Sequence, residues 1–214
     1  MPTQKLYTLA DSDATEAIRS RLLLPVRPLD SPCSFCGAKP QISHEDVCKG
    51  AERRWISRHN QVSRAFINTL SCREDLKVER EPIVAETQPG DPNPLRADFS
   101  VQIGVTRFFY DVQIVAINKD SARKDAAATL TEAAEDKKRK YKALGTSFKP
   151  LIFSAGGLME KDTAQAYKGL QALIGPSNAR WLDKTIALAL MQARAQIAAS
   201  IANPLAKPSR RPQD

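Results

Sequence analysis

Alternation of apolar and polar residues predicts a β-sheet in the middle of the chain. Residues 97–105 alternate cleanly, which places the apolar side chains of one strand on a single face. Residues 108–117 are apolar on both faces, which is typical of a strand at the centre of a sheet. Residues 76–85 and 148–155 have the composition of two further strands. These four segments should therefore form the core of the fold.

Helical spacing of apolar residues predicts the elements around this sheet. The first helix should stop at Pro25 and the third at Gly145, since proline and glycine commonly mark helix ends. The order of the core elements is then αβββαβ, which defines an α/β fold. Helices are predicted at residues 12–24, 52–70, 121–144, 160–174 and 178–202.

The predicted elements divide the chain into five parts. A small cysteine-rich module lies ahead of the α/β core, and a last helix follows the core. We expect the final residues, which are rich in proline and basic residues, to be disordered. The parts are a helix and linker at 1–31, the module at 32–50, the core at 51–175, a C-terminal helix at 176–202 and the tail at 203–214.

The distribution of charged residues indicates which classes of binding partner to expect. The 32 Lys and Arg residues exceed the 24 Asp and Glu residues, which gives a net charge of +8 and favours DNA or RNA as a partner. Charged residues interrupt every apolar run before it reaches membrane-spanning length, so we expect no membrane partner. The first 13 residues lack the apolar core of a signal peptide, so we expect an intracellular protein.

The cysteine-rich module has the spacing of a zinc site. Cys33, Cys36, His44 and Cys48 follow the pattern C-x2-C-x7-H-x3-C, in which three thiolates and an imidazole can surround one zinc ion. So short and polar a segment would need the metal in order to fold. A closed set of four protein ligands is structural rather than catalytic. Two alternatives remain open: Cys72 replaces His44 as the fourth ligand, or the thiols bind no metal.

Two carboxylates on neighbouring strands form the candidate catalytic site. If residues 97–117 form a hairpin that turns at Gly104 and Val105, Asp98 lies directly opposite Asp111. Two carboxylates directly opposite each other on paired strands repel each other unless a cation lies between them. This arrangement suggests Mg²⁺ or Mn²⁺. Alternatively, Asp98 only caps a strand and Asp111 forms a buried salt bridge.

One lysine of the third predicted helix should face the sheet. Lys137 lies on the apolar stripe of this helix, whereas Lys138 and Lys140 point partly or wholly toward solvent. A lysine ammonium beside a metal-bound phosphate could orient the attacking water or stabilise developing charge. The alternative is a lysine whose side chain runs along the edge of the stripe into solvent.

Four more side chains are weaker candidates. Arg58 and His59 lie within the second predicted helix, and His59 continues its apolar spacing, so both a core position and a nucleic-acid contact are open. Glu81 precedes the carboxylate pair and could complete the metal site or be a surface charge. Gln113 lies two residues beyond Asp111 on the same strand face.

Several short motifs follow one another in a set order along the chain. After the cysteine and histidine cluster come Arg58-His59-Asn60, Arg80-Glu81-Pro82, Ala97-Asp98, Asp111-Val112 and Lys137-x-x-Lys140-Tyr141. Between about residues 33 and 174 this order resembles the restriction-like endonuclease domain of site-specific non-LTR retrotransposons, a branch of the PD-(D/E)XK nucleases. Two positions depart from that family: Ala97 replaces a proline, and Gln113 replaces an acid or a lysine.

The resemblance implies a restriction-endonuclease-like core and a role for each matching residue. Asp98 and Asp111 would bind the divalent metal, Lys137 would be the catalytic lysine, and Lys140 would assist it. Gln113 would offer a carbonyl oxygen in place of the missing acid. The substrate implied is target DNA, which is nicked for retrotransposon-type integration in the nucleus.

We therefore predict a metal-dependent endonuclease that contacts nucleic acid through Arg58, His59, Lys138 and Lys140. A competing hypothesis is an inactive relative that only binds DNA or RNA, and it is motivated by Gln113. A third is an assembly protein whose last amphipathic helix pairs with a partner.

Overall fold

The computed structural model describes residues 10–25, 32–33, 35–39, 41–85, 92–118 and 125–202. These residues fall into two compact units. His59–Ala187 forms one unit, and the described parts of Met1–Arg58 and Leu188–Asp214 form the other. The predicted tail at 203–214, most of the predicted linker and the predicted helix start at 121–124 lie outside the described residues.

The unit His59–Ala187 is built on a four-stranded mixed sheet, as the alternation predicts. The sheet order is β1-β4-β5-β6, in which β1, β4 and β5 are antiparallel and β6 runs parallel to β5. Strands β2 and β3 form a separate two-stranded sheet. The strands are β1 (Lys77–Arg80), β2 (Ile83–Ala85), β3 (Leu95–Arg96), β4 (Phe99–Ile103), β5 (Thr106–Val115) and β6 (Phe148–Ser154).

The hairpin of β4 and β5 has the predicted register. Phe99 pairs with Tyr110, and Ile103 pairs with Thr106. The turn therefore falls at Gly104 and Val105, where Gly104 has a φ of 59°. Glycine adopts this left-handed conformation readily, as two-residue hairpin turns require.

The strand predicted at 76–85 is interrupted in the structure. Glu81 has a φ of 50°, and Pro82 has no backbone N–H to donate to a neighbouring strand. The chain leaves the main sheet here, so β1 ends at Arg80 and β2 pairs with β3 instead. The single long strand was a wrong prediction because side-chain alternation does not report a local left-handed backbone conformation.

The described residues contain four α-helices, of which α3 (Ala126–Lys140) makes the crossover that joins β5 to the parallel strand β6. The Asp125 side chain caps α3 by accepting a hydrogen bond from the Ala128 N–H at 2.8 Å. The predicted break in the last helical region is present, since Gly175 has non-helical angles just before Pro176. The helices are α1 (Asp11–Arg21), α2 (Glu52–Leu70), α3 (Ala126–Lys140) and α4 (Lys161–Ala202).

Two predicted helix ends shift in the structure. The first predicted helix ends at Arg21, four residues before Pro25. The third ends at Lys140 and is followed by the 3₁₀ segment Lys142–Ser147, in which Gly145 has a φ of 53°. Gly145 therefore interrupts this segment and does not end the α-helix.

Aromatic packing forms one side of the core of His59–Ala187. Phe66 of α2 stacks on Phe99 with ring centroids 5.7 Å apart and meets Tyr167 of α4 edge-on at 5.7 Å. Phe99 in turn stacks on Tyr110 of β5 at 4.9 Å. This packing fixes α2 and the first half of α4 against the β4–β5 hairpin. On the other face, α3 buries Leu130 and Ala134 among Val115 and Ile152.

The second unit has a small core of its own. It contains residues of the cysteine-rich module and of the last turns of α4, with Trp55 of α2 packed against them. The cysteine-rich module is therefore not an isolated loop. The fully buried members are Cys33, Cys48, Ala51, Ile197 and Ile201. None of the helices in the described ranges is long and apolar enough to cross a membrane.

Candidate metal centres

Asp98 lies one residue before β4, and backbone contacts fix its position. Its N–H donates to the Tyr110 carbonyl at 3.0 Å, and its carbonyl accepts from the Glu81 N–H at 2.9 Å. Its carboxylate Oδ2 accepts a short hydrogen bond, 2.6 Å, from the Val112 N–H. The side chain is therefore held across the hairpin toward β5.

Asp111 lies on β5 and is 4% exposed. Lys137 Nζ donates to Asp111 Oδ1 at 2.8 Å. Burial raises the pKa of the Asp111 carboxyl, and the negative charge of Asp98 raises it further, while the ammonium of Lys137 opposes both effects. The two carboxylates thus interact electrostatically, as the register predicts, and share one nearby lysine.

Lys137 faces the sheet, as its place on the helical stripe predicts. Its side chain is 20% exposed, and it bonds the buried carboxylate of Asp111 rather than extending into solvent. One turn further along, the Tyr141 hydroxyl donates to the Arg96 carbonyl at 2.6 Å. Burial raises the pKa of this tyrosine, and the nearby Asp111 carboxylate raises it further. Helix α3 therefore brings two polar groups to one carboxylate.

His59 joins this site, although its spacing left open a core position. Its Nε2 lies 3.0 Å from Asp98 Oδ2, and the hydrogen bond to Asp98 raises the pKa of the imidazole to about 9. One ligand atom from each of His59, Asp98 and Asp111 lies within 4.8 Å of the others. The signal that could have revealed it is a titratable group on the buried face of α2.

Glu81 and Gln113 are the two further candidates for the carboxylate site, and their environments differ. The Glu81 side chain is 61% exposed and pairs with Arg80 at 3.5 Å, so it lies outside the group formed by His59, Asp98 and Asp111. The left-handed backbone at Glu81 accompanies the departure of the chain from β1. Gln113 is half-buried on β5 and lies on the same strand face as Asp111.

Besides His59, three basic residues are predicted to contact nucleic acid, and their environments differ. Arg58 is 3% exposed and its guanidinium faces Asp46 at 3.6 Å, so it belongs to an interior and not to a binding surface. Lys138 is more exposed and bonds Glu135 and Asp162 at 2.8 and 2.9 Å. Lys140 lies over the ring of Tyr141, 5.0 Å from its centroid, and is exposed.

The cysteine-rich module forms a second candidate metal site in the other unit. Ligand atoms of Cys33, Cys36, His44 and Cys48 all lie within 4.8 Å of one another. The Cys33 and Cys48 sulfurs are 3.9 Å apart, and Cys36 Sγ is 3.5 Å from His44 Nε2. Four ligands about 2.0–2.3 Å from one tetrahedral zinc ion have separations of this order. The cluster could therefore hold a metal such as zinc.

Cys72 does not take part in this cluster. It is exposed just after α2, and its thiol donates to the Asn68 carbonyl at 3.2 Å. The structure therefore gathers His44, and not Cys72, with the other three cysteines. Burial raises the pKa of the Cys48 thiol to about 12, so a thiolate here needs a cation beside it.

Buried ion pairs hold the turn that carries His44. Asp46 bonds Arg194 of α4 at 2.8 Å and lies 3.6 Å from Arg58 of α2, while Glu45 pairs with Arg194 at 3.2 Å. Burial raises the pKa of Asp46 to about 6, an effect that both arginines oppose. These charges tie the candidate zinc ligand His44 to two helices of the same unit.

No protein-family model matches the chain, and no curated protein matches it. The candidate function is therefore inferred from the residues and their geometry.

Zinc binding can be tested with two matched cysteine variants. We expect Cys36→Ser to lose the bound zinc, because it leaves three ligands at the site, and Cys72→Ser to retain one zinc per chain. Elemental analysis of both proteins after gel filtration measures this directly. Equal zinc content in the two variants, or a wild-type protein without zinc, would contradict the assignment of the cluster.

Proposed function

We propose that this protein is a metal-dependent endonuclease that hydrolyses DNA phosphodiester bonds at Asp98 and Asp111. The observation that carries the proposal is the meeting of these two carboxylates with Lys137, which come from one hairpin and the helix that follows it. The resemblance to the endonuclease domain of non-LTR retrotransposons supports a restriction-endonuclease-like core and the nicking of target DNA. It also favours a nuclear protein.

The donor set fits a divalent cation. Oxygen atoms of Asp98 and Asp111 lie within 4.8 Å of each other, and their negative charges repel across a partly buried site. Mg²⁺ and Mn²⁺ take carboxylate oxygens as ligands. When bound, such an ion polarises the phosphodiester and lowers the pKa of the attacking water.

The side chains around the carboxylates have separate tasks in this proposal. The Val112 N–H keeps Asp98 oriented, and Lys137 does the same for Asp111. Preorganised groups of this kind avoid the cost of rearrangement during reaction. The Lys137 ammonium stabilises negative charge on the phosphoryl group once a substrate phosphate lies next to it.

Positive charge favours a nucleic acid as substrate. The chain has a net charge of +8, and the last turn of α3 carries four basic residues in a row, beginning with Lys137. Lys140 is exposed beside Tyr141 and is the best placed of these to contact a phosphate. DNA rather than RNA follows only from the resemblance.

A second candidate function is a binding module that does not cleave. Each carboxylate already has a cation beside it, His59 at Asp98 and Lys137 at Asp111, so the pair can be stable without a metal. Gln113 adds no negative charge to attract one. Such a module would bind DNA in a salt-dependent way whether or not Mg²⁺ is present.

Asp98→Asn tests the proposed nuclease directly. We expect nicking of supercoiled plasmid in Mg²⁺ or Mn²⁺ to fall by at least about a hundredfold, a loss typical of removing one preorganised charge-stabilising group. The amide can still accept the Val112 hydrogen bond, so folding should be preserved. Asp75→Asn, at an exposed aspartate that pairs with Arg73, is the control and should cleave normally. Wild-type rates in Asp98→Asn would exclude this site.

A second matched pair compares Lys137 with an exposed lysine of α4. Lys137→Met removes the charge beside Asp111 and leaves an uncharged side chain of similar length, and we expect a loss of about a hundredfold in single-turnover cleavage. Lys168→Met removes an equal charge from an exposed position on α4 and should cleave within about threefold of wild type. Equal effects of the two changes would mean that only net charge matters, and not the placement of Lys137.

A further inference from the structure

The contact between His59 and Asp98 gives the candidate site a nitrogen ligand. His59 Nε2 points at the carboxylate oxygen Oδ2 of Asp98 from 3.0 Å, and the imidazole is 32% exposed. Its nitrogen lies within 4.8 Å of an oxygen of Asp98 and of an oxygen of Asp111. The three ligand atoms come from α2, from the residue before β4 and from β5, so they approach a common point from different elements.

The second nitrogen of His59 is arranged as in a metal-binding histidine. Nδ1 lies 3.2 Å from the side-chain oxygen of Asn60, which can accept its proton. A hydrogen bond at Nδ1 selects the tautomer whose Nε2 carries the free lone pair. In the structure Nε2 donates its proton to Asp98. A metal ion that replaces this proton would leave the other proton on Nδ1, where Asn60 accepts it, and would meet the Nε2 lone pair beside the two carboxylates.

We propose that His59 is the third protein ligand of the metal at Asp98 and Asp111, and that the site consequently prefers Mn²⁺ to Mg²⁺. Mg²⁺ is bound through oxygen and keeps its water ligands, whereas first-row transition ions accept imidazole nitrogen readily. Two carboxylates and one imidazole give a mixed set that suits Mn²⁺. This inference rests on the metal site of the proposed function but does not depend on the site being catalytic.

His59 also replaces Glu81 in the ligand set. Glu81 is exposed and pairs with Arg80, and the turn at Glu81 leaves its carboxylate outside the ligand group. Without His59, the described side chains that form this group would be reduced to the two aspartates. The histidine is thus the residue that decides metal preference.

Electron paramagnetic resonance of the zinc-loaded full chain with added Mn²⁺ tests the assignment. We expect one Mn²⁺ to bind per chain and its echo modulation to show a coupled ¹⁴N nucleus from the imidazole. His59→Gln, which keeps a neutral side chain with an oxygen donor, should lose the ¹⁴N coupling. Its Mn²⁺-over-Mg²⁺ preference, measured by competition, should fall by at least about tenfold, as loss of a group that tunes a metal site does. Asn68→Ala, an exposed polar position on α2, is the control and should match wild type.

The outcomes separate this inference from the proposed function. Bound Mn²⁺ without ¹⁴N coupling, or an unchanged preference in His59→Gln, would overturn the role of His59 even if the protein nicks DNA. Coupling that is lost in His59→Gln would support that role even if no DNA is cut. Failure of wild-type protein to bind Mn²⁺ would overturn the inference and remove the metal site from the proposed function.

Discussion

Electrostatic repulsion between Asp98 and Asp111 is the constraint on which the candidate site depends. Burial strengthens this repulsion, because the interior screens charge less than water does. The structure offsets it with one cation for each carboxylate, His59 beside Asp98 and Lys137 beside Asp111. The site can therefore fold without a metal, and the proposed divalent ion would compete with these two contacts for the carboxylates.

The register of the β4–β5 hairpin brings the carboxylates of Asp98 and Asp111 together. Pairing of Phe99 with Tyr110 places Asp98 next to Asp111 in the ladder, and the Val112 N–H then fixes the Asp98 carboxylate. A slip of one residue would turn Asp111 to the opposite face of the sheet, away from α3. The left-handed turn at Gly104 prevents that slip. Strand register thus places both carboxylates and turns Asp111 toward Lys137.

Local patterns in the sequence predict those features that depend on near neighbours. Alternation gives the hairpin register, helical spacing turns Lys137 toward the sheet, and ligand spacing gathers Cys33 and Cys36 with His44 and Cys48. Contacts between residues that are distant in the sequence depend on packing, which these patterns do not predict. The contact between His59 and Asp98 spans 39 residues and depends on how α2 meets the hairpin. The periodicity of apolar residues likewise does not predict the left-handed backbone at Glu81 or the burial of Arg58.

Metal add-back to wild-type protein tests whether DNA cleavage depends on a divalent metal. The protein is first freed of loosely bound divalent ions with EDTA, and plasmid nicking is then followed while Mn²⁺ or Mg²⁺ is added in excess. We expect no nicking in EDTA, full recovery with added Mn²⁺, and binding of DNA in both conditions. Nicking that persists in EDTA, or DNA binding without any nicking at saturating Mn²⁺, would contradict a metal-dependent nuclease at Asp98 and Asp111.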